Sequence, residues 1–269
     1  MLFPLRIFSI FPGKFKRSRL AAVLLALSVL ACGVHQPSVM ESGVSADEFC
    51  RSSSGFLHDG ETLSALVRIR VTTPEGYYPA KAALILRKPS YVRLELLPII
   101  GPPDFFLVAS PGKIKVFIPS QGKFYSGFTT EANQKKLLPW PVSLEDMMMI
   151  LTGTYPSFEG GETPCRVYIR GKERVIDMNT ASGRWQIIRR PETDTLLKIV
   201  HHDAAGSMVY SAEYLYDKEH SFPEKITVET ADPAVEMSLT WSDVDIETSS
   251  DVSVFDLKAP DNVSEIILE

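Results

Sequence analysis

Two kinds of side chain in this sequence have the chemistry of a site: histidine beside aspartate, and isolated cysteine. His201, His202 and Asp203 follow one another in a segment that alternates like a strand, and imidazole and carboxylate groups are common metal ligands. Adjacent strand residues point to opposite faces of a sheet, so we do not expect these histidines to share one ion. The sequence also has no GxSxG motif, no CxxC pair and no Gly-rich phosphate loop. It therefore predicts a protein that is not an enzyme and binds no metal or other cofactor.

Cys32 lies at the end of a short apolar segment near the start of the chain. The segment Leu20–Cys32, LAAVLLALSVLAC, follows five basic residues and no acidic one, as in a secretory signal peptide. The twelve residues before Cys32 fall short of the roughly 20 apolar residues that a membrane-spanning helix needs. The sequence therefore predicts that the protein is exported. One interpretation is an ordinary signal peptide in which the cysteine occurs by chance.

The other interpretation is a lipoprotein signal peptide. Val29-Leu30-Ala31-Cys32 resembles a bacterial lipobox, in which cleavage falls before the cysteine and its thiol carries diacylglycerol. Under this interpretation residues 1–31 are the signal peptide, residues 32–46 are a lipidated tether, and palmitate or similar chains attach at Cys32. Several acyl chains anchor a protein stably, at roughly 0.8 kcal/mol per buried methylene, where one chain binds only marginally. We favour this interpretation because a small residue precedes Cys32 and a polar, loop-prone stretch follows it.

The residue after Cys32 and the charge of the chain bear on location. Gly33 stands where an aspartate signals inner-membrane retention in well-studied sorting systems, so this resemblance favours the outer membrane, with the domain facing the periplasm. Loss of the five basic residues of the signal changes the formal net charge from -5 to -10. Such an acidic chain has no electrostatic footprint for nucleic acid and gains nothing from anionic lipid headgroups. Membrane contact must then come from lipid chains or apolar side chains.

Cys50 and Cys165 remain as an even pair in an oxidising compartment. A disulfide between them would close a long loop, which in the chain-entropy model contributes roughly 4 kcal/mol to stability. Two buried free thiols, packed as small apolar groups, are the alternative. The sequence leaves both alternatives open.

Period-two alternation of apolar and polar residues dominates the chain after residue 60. In Leu63–Thr72 every second residue is apolar, and in YVRLELL the side chains of Val92, Leu94 and Leu96 share one face. This alternation is typical of strands that are buried on one side. The inner, apolar side of such strands is where we expect a core or a cavity.

About fourteen such segments follow one another without an internal repeat or a dividing linker. They include Tyr91–Leu97, Phe105–Ser110 and Lys123–Phe128, and the last is Val254–Lys258. Single-sequence reasoning places element boundaries less well than element types. We therefore predict one mainly β domain, residues 47–269, built on a single strongly curved antiparallel sheet.

One predicted helix interrupts the strands. Ser143 followed by acidic residues in the next turn indicates a capped helix start, and Gly153 indicates its end. Within it, Met147, Met148 and Met149 cover most of the helix circumference. This run favours core packing against the sheet, and its alternative is a deformable surface for apolar ligands.

The loop Leu97–Asp104, LPIIGPPD, is unusual because it carries two adjacent isoleucines, Ile99 and Ile100. Its three prolines and its glycine exclude a regular ladder. Exposed isoleucines at a loop tip would indicate a contact surface. From spacing alone we expect them instead to lie in the core beneath the loop.

The order of these features resembles the LolA/LolB-like family of lipoprotein carriers, and within it the outer-membrane lipoprotein receptor LolB. In that family a strand ends in a Pro-Leu-Gly loop, where this chain has Pro98-Ile99-Ile100-Gly101. A later family segment has leucine and proline before a helix that ends in Leu-Gly. This chain has Leu138-Pro139 there, and its helix runs to Leu151-Thr152-Gly153. The similarity is clearest from Leu63 to Pro156.

The resemblance implies a half-open antiparallel β-barrel, with a few short helices closing one mouth around an apolar cavity that takes acyl chains. It places Ile99 or Ile100 at the position of a protruding leucine that helps push lipoproteins into the membrane, which reverses the expectation from spacing. The candidate lipid-binding cavity residues are Val92, Leu94, Leu96, Met147 and Met148.

The function implied by the resemblance is binding of lipoprotein acyl chains and their insertion into the outer membrane, with a periplasmic lipoprotein carrier as the delivering partner. We expect the protein to be a monomer. We also expect it to carry the ligand without making or breaking a covalent bond. A structural or interaction lipoprotein with a filled barrel is one alternative. A hydrolase, which would need convergent catalytic groups, is another.

Replacing Cys32 with Ala should abolish lipid attachment and leave the protein soluble or mis-anchored, because the acylated thiol is lost. Incorporation of labelled palmitate measures this directly, with the wild-type chain as the reference. Label that still appears on the variant would contradict the lipobox interpretation.

Overall fold

The computed structural model of the protein describes most of the chain after residue 48. The described residues all fall within the compact unit Ser38–Glu269, and they are 49–50, 55–138, 142–156, 165–217, 222–231, 234–248 and 251–269. The predicted signal peptide, the tether with Cys32, and the domain boundary at residue 47 lie outside the described residues, as do Pro139 and Trp140.

The described residues contain fourteen strands that belong to one sheet. In chain order the strands are β1 Glu61–Thr73, β2 Gly76–Arg87, β3 Tyr91–Leu97, β4 Phe105–Ser110, β5 Lys113–Ile118, β6 Lys123–Phe128, β7 Cys165–Arg170, β8 Glu173–Thr180, β9 Gly183–Arg189, β10 Leu196–His202, β11 Met208–Leu215, β12 Lys225–Thr230, β13 Val235–Thr248 and β14 Glu265–Leu268.

The strands form two antiparallel meanders that lie side by side. The first meander is β1 to β6 and the second is β7 to β13, and within each one sequence neighbours are hydrogen bonded. β1 also pairs antiparallel with β13, for example Val67 with Trp241, and this pairing joins the meanders. Among the described strands, β7 forms one edge of the sheet, and β14, parallel to β6, forms the other. The sheet is therefore open, and the predicted half-open, mainly β barrel is confirmed.

The alternation in the sequence sets the two faces of the sheet. In β1 the side chains of Leu63, Ala65 and Val67 are buried, whereas Arg68 and Arg70 are exposed. The buried side chains face the inside of the curve, where one apolar core spans both meanders. The face of the sheet that each residue occupies thus follows from its parity along the strand.

Two helices with described bounds lie between β6 and β7, and the first was not predicted. α1 is Glu131–Leu137. Its start is capped by Thr130, whose side chain accepts a hydrogen bond from the backbone N–H of Asn133. Threonine before an acidic residue was an available signal for this start.

The second helix, α2, is Leu144–Thr152, and its predicted limits are confirmed. Ser143 caps it, since its Oγ accepts a hydrogen bond from the Asp146 N–H at 3.0 Å. Gly153 ends it in the left-handed conformation, with φ of 67°, which glycine adopts without a steric penalty.

The C-terminal segment differs from the prediction, because Val254–Lys258 is not a strand. Ser253–Phe255 forms one turn of 3-10 helix, and the last strand is β14. Phe255 and Leu257 pack against Phe124 on the outer face of the first meander. The apolar alternation here therefore reflects packing onto the sheet and not pairing within it.

A disulfide joins Cys50 to Cys165, the first residue of β7, across a Cα–Cα distance of 6.3 Å. It decides between the two alternatives that the sequence left open. Next to it, the Arg174 guanidinium lies 4.3 Å from the centroid of the Phe49 ring. The Tyr155 hydroxyl donates a hydrogen bond to the Phe49 carbonyl at 3.3 Å. Residues 49–50 are thus fixed to the second meander.

Candidate functional site

A cavity of about 450 Å³ lies between the inner face of the first meander and α2. β1 to β4 and β13 form its wall on the sheet side, and α2 forms the opposite wall. None of the twenty lining residues is charged, and only Thr73 and Tyr78 carry a polar side-chain group. The cavity therefore offers apolar contact on nearly every side.

All five candidate cavity residues named from the sequence lie on this wall. Val92, Leu94 and Leu96 reach it from β3, and Met147 and Met148 reach it from α2. The strand residues come together because they share one face, and the helix carries its methionines toward that face. Their contact with a ligand stays a prediction.

Sequence reasoning missed the larger part of the wall. Ile69 and Val71 of β1, Ala82 and Leu84 of β2, and Met237 of β13 also line the cavity. Their alternation was visible in the sequence. Which strands face α2 depends on the pairing of β1 with β13, and no local sequence pattern indicates that pairing.

Aromatic rings cover the inner face of the second meander around β11, away from the cavity. The Phe56 ring packs edge-on against the rings of Tyr214 and Phe222, with centroid distances of 5.5 Å in both pairs. Its backbone N–H donates to the Thr152 carbonyl of α2 at 2.7 Å. Space for a ligand therefore lies along the first meander and the adjoining β13.

The cavity opens where β1 turns into β2. Along β1 the lining side chains change from buried at Val67 to half-buried at Ile69 and Val71. Along β2 they change from buried at Leu84 to 54% exposed at Tyr78. The wall thus becomes accessible toward this end of the sheet, which we call the mouth.

The loop between β3 and β4, residues 98–104, leaves the sheet at the mouth. Ile99 and Ile100 are 103% and 90% exposed, so the expectation from spacing that they lie in the core is wrong. The end of the loop is held by Asp104, whose Oδ1 accepts a hydrogen bond from the Ser120 N–H at 2.7 Å. This bond ties the loop to the turn between β5 and β6, away from the core.

Two buried tyrosines of β11 hold α2 against the second meander. The Tyr210 hydroxyl donates to Asp146 Oδ1 at 3.3 Å, and the Tyr214 hydroxyl donates to the Ile150 carbonyl at 3.0 Å. Burial raises the pKa of both tyrosines well above its usual range, so both hydroxyls remain protonated donors. One side of α2 is thereby fixed while the other faces the cavity.

His201 is buried next to Tyr210. Its ring stacks on that of Trp185, with centroids 4.0 Å apart, and meets the edge of the Tyr210 ring at 5.6 Å. Burial lowers the pKa of His201, and the nearby Asp146 carboxylate opposes this effect. The histidine therefore belongs to the packing that supports α2.

The described residues outside the cavity offer few groups for chemistry. Asp194 bridges two buried guanidinium groups, with 2.6 Å to Arg174 and 2.7 Å to Arg189, so its carboxylate serves the fold. Among the described residues, no three His, Cys, Asp or Glu side chains come together as a metal site. In the same part of the chain no helix has the length and apolarity to cross a membrane.

Solved structures with the same fold include three bacterial proteins. A LolA superfamily protein from Nitrosomonas europaea is 12% identical, with 80% of this chain and 99% of that chain covered at a TM-score of 0.54. A DUF1329 family protein from Desulfovibrio piger is also 12% identical, with 78% and 92% covered at 0.54. A domain from Vibrio parahaemolyticus described as an outer membrane lipoprotein-sorting protein is 9% identical, with 78% and 93% covered at 0.53.

These likenesses establish a LolA-like fold, and at such identities they establish the fold alone. No protein-family model matches the sequence, and a comparison with curated proteins finds no match. The specific resemblance to LolB accordingly stays a hypothesis.

Replacing His201 with Phe should flatten the pH dependence of thermal stability below about pH 6.5. Burial lowers the pKa of His201 in the folded chain below its ordinary value of 6.5, so the unfolded chain takes up a proton first as the pH falls. The contribution of His201 to the stability of the wild type is therefore full above about pH 6.5 and is lost as the pH falls toward the folded pKa. Phenylalanine retains an aromatic ring against Trp185 and does not titrate.

The measurement is the melting temperature at a series of pH values between about 7.5 and about 5. His58 is exposed, so His58→Gln is the matched control and should keep the wild-type slope. An unchanged slope in His201→Phe would show that His201 does not cause the decline.

Proposed function

We propose that the protein is a lipid-anchored lipoprotein of the outer membrane that faces the periplasm, binds the acyl chains of other lipoproteins and helps insert them into the membrane. The observation that carries this proposal is the uncharged cavity of about 450 Å³, with Ile99 and Ile100 exposed beside its mouth. The fold likeness to a LolA superfamily protein and to a lipoprotein-sorting domain supports it.

The cavity suits an acyl chain in size and chemistry. Its volume of about 450 Å³ falls within the ~300–1,000 Å³ of typical ligand pockets. Each methylene that moves from water into such a wall gains about 0.8 kcal/mol. Met147 and Met148 have flexible thioether side chains that adapt to chains of different shape. Because no charged side chain holds the ligand, binding remains reversible.

The loop suits contact with a bilayer. Full burial of one isoleucine side chain gains about 1.5–3 kcal/mol, and both Ile99 and Ile100 are free to enter an apolar phase. The acidic chain gains no attraction to anionic headgroups, so apolar contact has to supply the affinity. A chain that leaves the mouth beside this loop would pass directly into the membrane.

The anchor proposed at Cys32 would allow this orientation. Seventeen residues separate Cys32 from Cys50, which the disulfide fixes to β7. Eighteen peptide steps span at most roughly 60 Å when fully extended. Within this upper limit, the segment would let a monomeric domain present its mouth to the membrane or to a periplasmic carrier that delivers the ligand.

A structural lipoprotein that uses the same fold as a scaffold is the alternative. A scaffold gains nothing from an apolar cavity that its own side chains leave unfilled, because each lining atom without a neighbour loses dispersion energy. Such a protein should have a filled barrel. The open space next to Met147 and Met148 favours ligand binding.

Native mass spectrometry of the mature chain with Cys32→Ser, purified from a cell envelope without detergent, tests the binding function. We expect co-purified acylated ligand that a fatty acyl peptide displaces. Leu96→Glu should remove this ligand, because it places a charge on the half-buried wall near the mouth. Leu215→Glu is the control, since Leu215 is 57% exposed and does not line the cavity.

A mass without ligand that stays unchanged when acylated peptide is added would favour the scaffold. Loss of ligand in both leucine variants would point to unfolding, which the melting temperature of each variant reports separately.

Replacing both Ile99 and Ile100 with Glu should preserve folding and ligand binding but abolish transfer of a lipoprotein to liposomes. The side chains are fully exposed, so the free energy of unfolding should change by less than roughly 1 kcal/mol. The melting temperature of the variant should therefore stay close to that of the wild type. Ile267 of β14 is 77% exposed and lies away from the mouth, so Ile267→Glu is the matched control.

A large fall in melting temperature for the Ile99 and Ile100 variant would show that these residues support the core. Transfer at the wild-type rate would show that the loop has no part in delivery.

A further inference from the structure

The polar groups of the cavity wall are confined to one hairpin. Thr73 ends β1 and Tyr78 lies near the start of β2, and the remaining lining side chains are apolar. Both residues lie at the mouth, where Tyr78 pairs with Val71 across the strands. A ligand in the cavity would therefore meet a hydroxyl group only where it leaves the cavity.

The Thr73 hydroxyl already has a partner in the turn. Its Oγ1 accepts a hydrogen bond from the Glu75 N–H at 3.2 Å. A hydrogen bond with the Thr73 side chain also lowers the pKa of the Glu75 carboxyl. The donor capacity of Thr73 is thus directed into the turn, away from a ligand.

The Tyr78 hydroxyl is different. Within the described part of the chain it forms no hydrogen bond, and its side chain is 54% exposed while it also lines the cavity. The ring lies over Gly76, where an added methyl group would be 3.2 Å from Tyr78 Oη. The hydroxyl thus lies at the rim of the mouth with its donor available.

We propose that Tyr78 recognises the carbonyl oxygen that links an acyl chain to its head group, so that the site selects ester- or amide-linked acyl chains over plain hydrocarbon chains. This inference rests on the proposed function. An apolar wall binds any greasy chain and gives it no fixed depth. A single donor at the mouth sets the depth, because the chain enters tail first and stops where its carbonyl accepts the hydrogen bond from Tyr78.

The hydroxyl contributes specificity without locking the ligand in place. One hydrogen bond contributes about 1 kcal/mol net, which corresponds to about fivefold in affinity at 1.4 kcal/mol per factor of ten. Because Tyr78 is half exposed, water can replace the carbonyl when the chain leaves. This is the behaviour that a carrier needs at its exit.

Two probes that differ only in the carbonyl test the proposal. The mature chain with Cys32→Ser is loaded with an environment-sensitive apolar fluorophore, which is then displaced by 1-palmitoylglycerol or by 1-O-hexadecylglycerol. The ester probe carries a carbonyl at the head of its chain, and the ether probe does not. We compare wild type with Tyr78→Phe, which removes only the hydroxyl.

The matched control is Tyr77→Phe. Tyr77 is the preceding residue, is 57% exposed and points to the opposite face of the strand. We expect Tyr78→Phe to weaken binding of the ester probe about fivefold and to change binding of the ether probe by less than about twofold, whereas Tyr77→Phe changes neither.

Equal affinity of Tyr78→Phe and wild type for the ester probe would overturn the inference, and so would an equal loss for both probes. In either case the cavity still binds acyl chains, so the proposed function stands. If neither probe displaces the fluorophore from the wild-type chain, both the proposed function and this inference are wrong.

Discussion

The pairing of β1 with β13 is the contact on which the rest of the structure depends. It aligns Val67 with Trp241 and follows most of both strands, with one irregularity between Ser64 and Leu66. Without it the two meanders would be separate sheets. The same pairing places α2, which the second meander holds, opposite the inner face of the first. The cavity is thus a consequence of how two local structures are joined.

The helix α2 has two unlike surroundings, and the difference between them keeps the cavity open. On one side Tyr210 and Tyr214 donate hydrogen bonds to it. On the other side Met147 and Met148 face space that no described side chain fills. An unfilled apolar cavity costs stability because its lining atoms lose dispersion contacts. Buried hydrogen bonds on the far side oppose a collapse of the helix onto the first meander.

The likeness to proteins of very different sequence has a physical reason. A curved antiparallel sheet requires alternating apolar and polar residues, and many sequences satisfy that pattern. For the same reason the fold does not determine the function. The functional proposal depends instead on features particular to this chain: the uncharged wall, the exposed Ile99 and Ile100, and the Tyr78 hydroxyl at the mouth.

The sequence by itself determined the elements whose signals are local. The limits of β3, β4 and β6 and the capped start and glycine end of α2 agree with prediction, because alternation, capping and turn chemistry act over a few residues. α1, which was not among the predicted elements, also begins at a local signal, the Thr130 cap.

Only the tertiary structure decided the rest, because it depends on contacts between residues far apart in the chain. The segment Val254–Lys258 alternates like a strand but packs on the outer face of the sheet. Cys50 meets Cys165 only because the sheet brings β7 to residues 49–50. The exposure of Ile99 and the position of the cavity follow from the way the sheet curves around α2. The alternation of apolar and polar residues along the chain does not indicate that curvature.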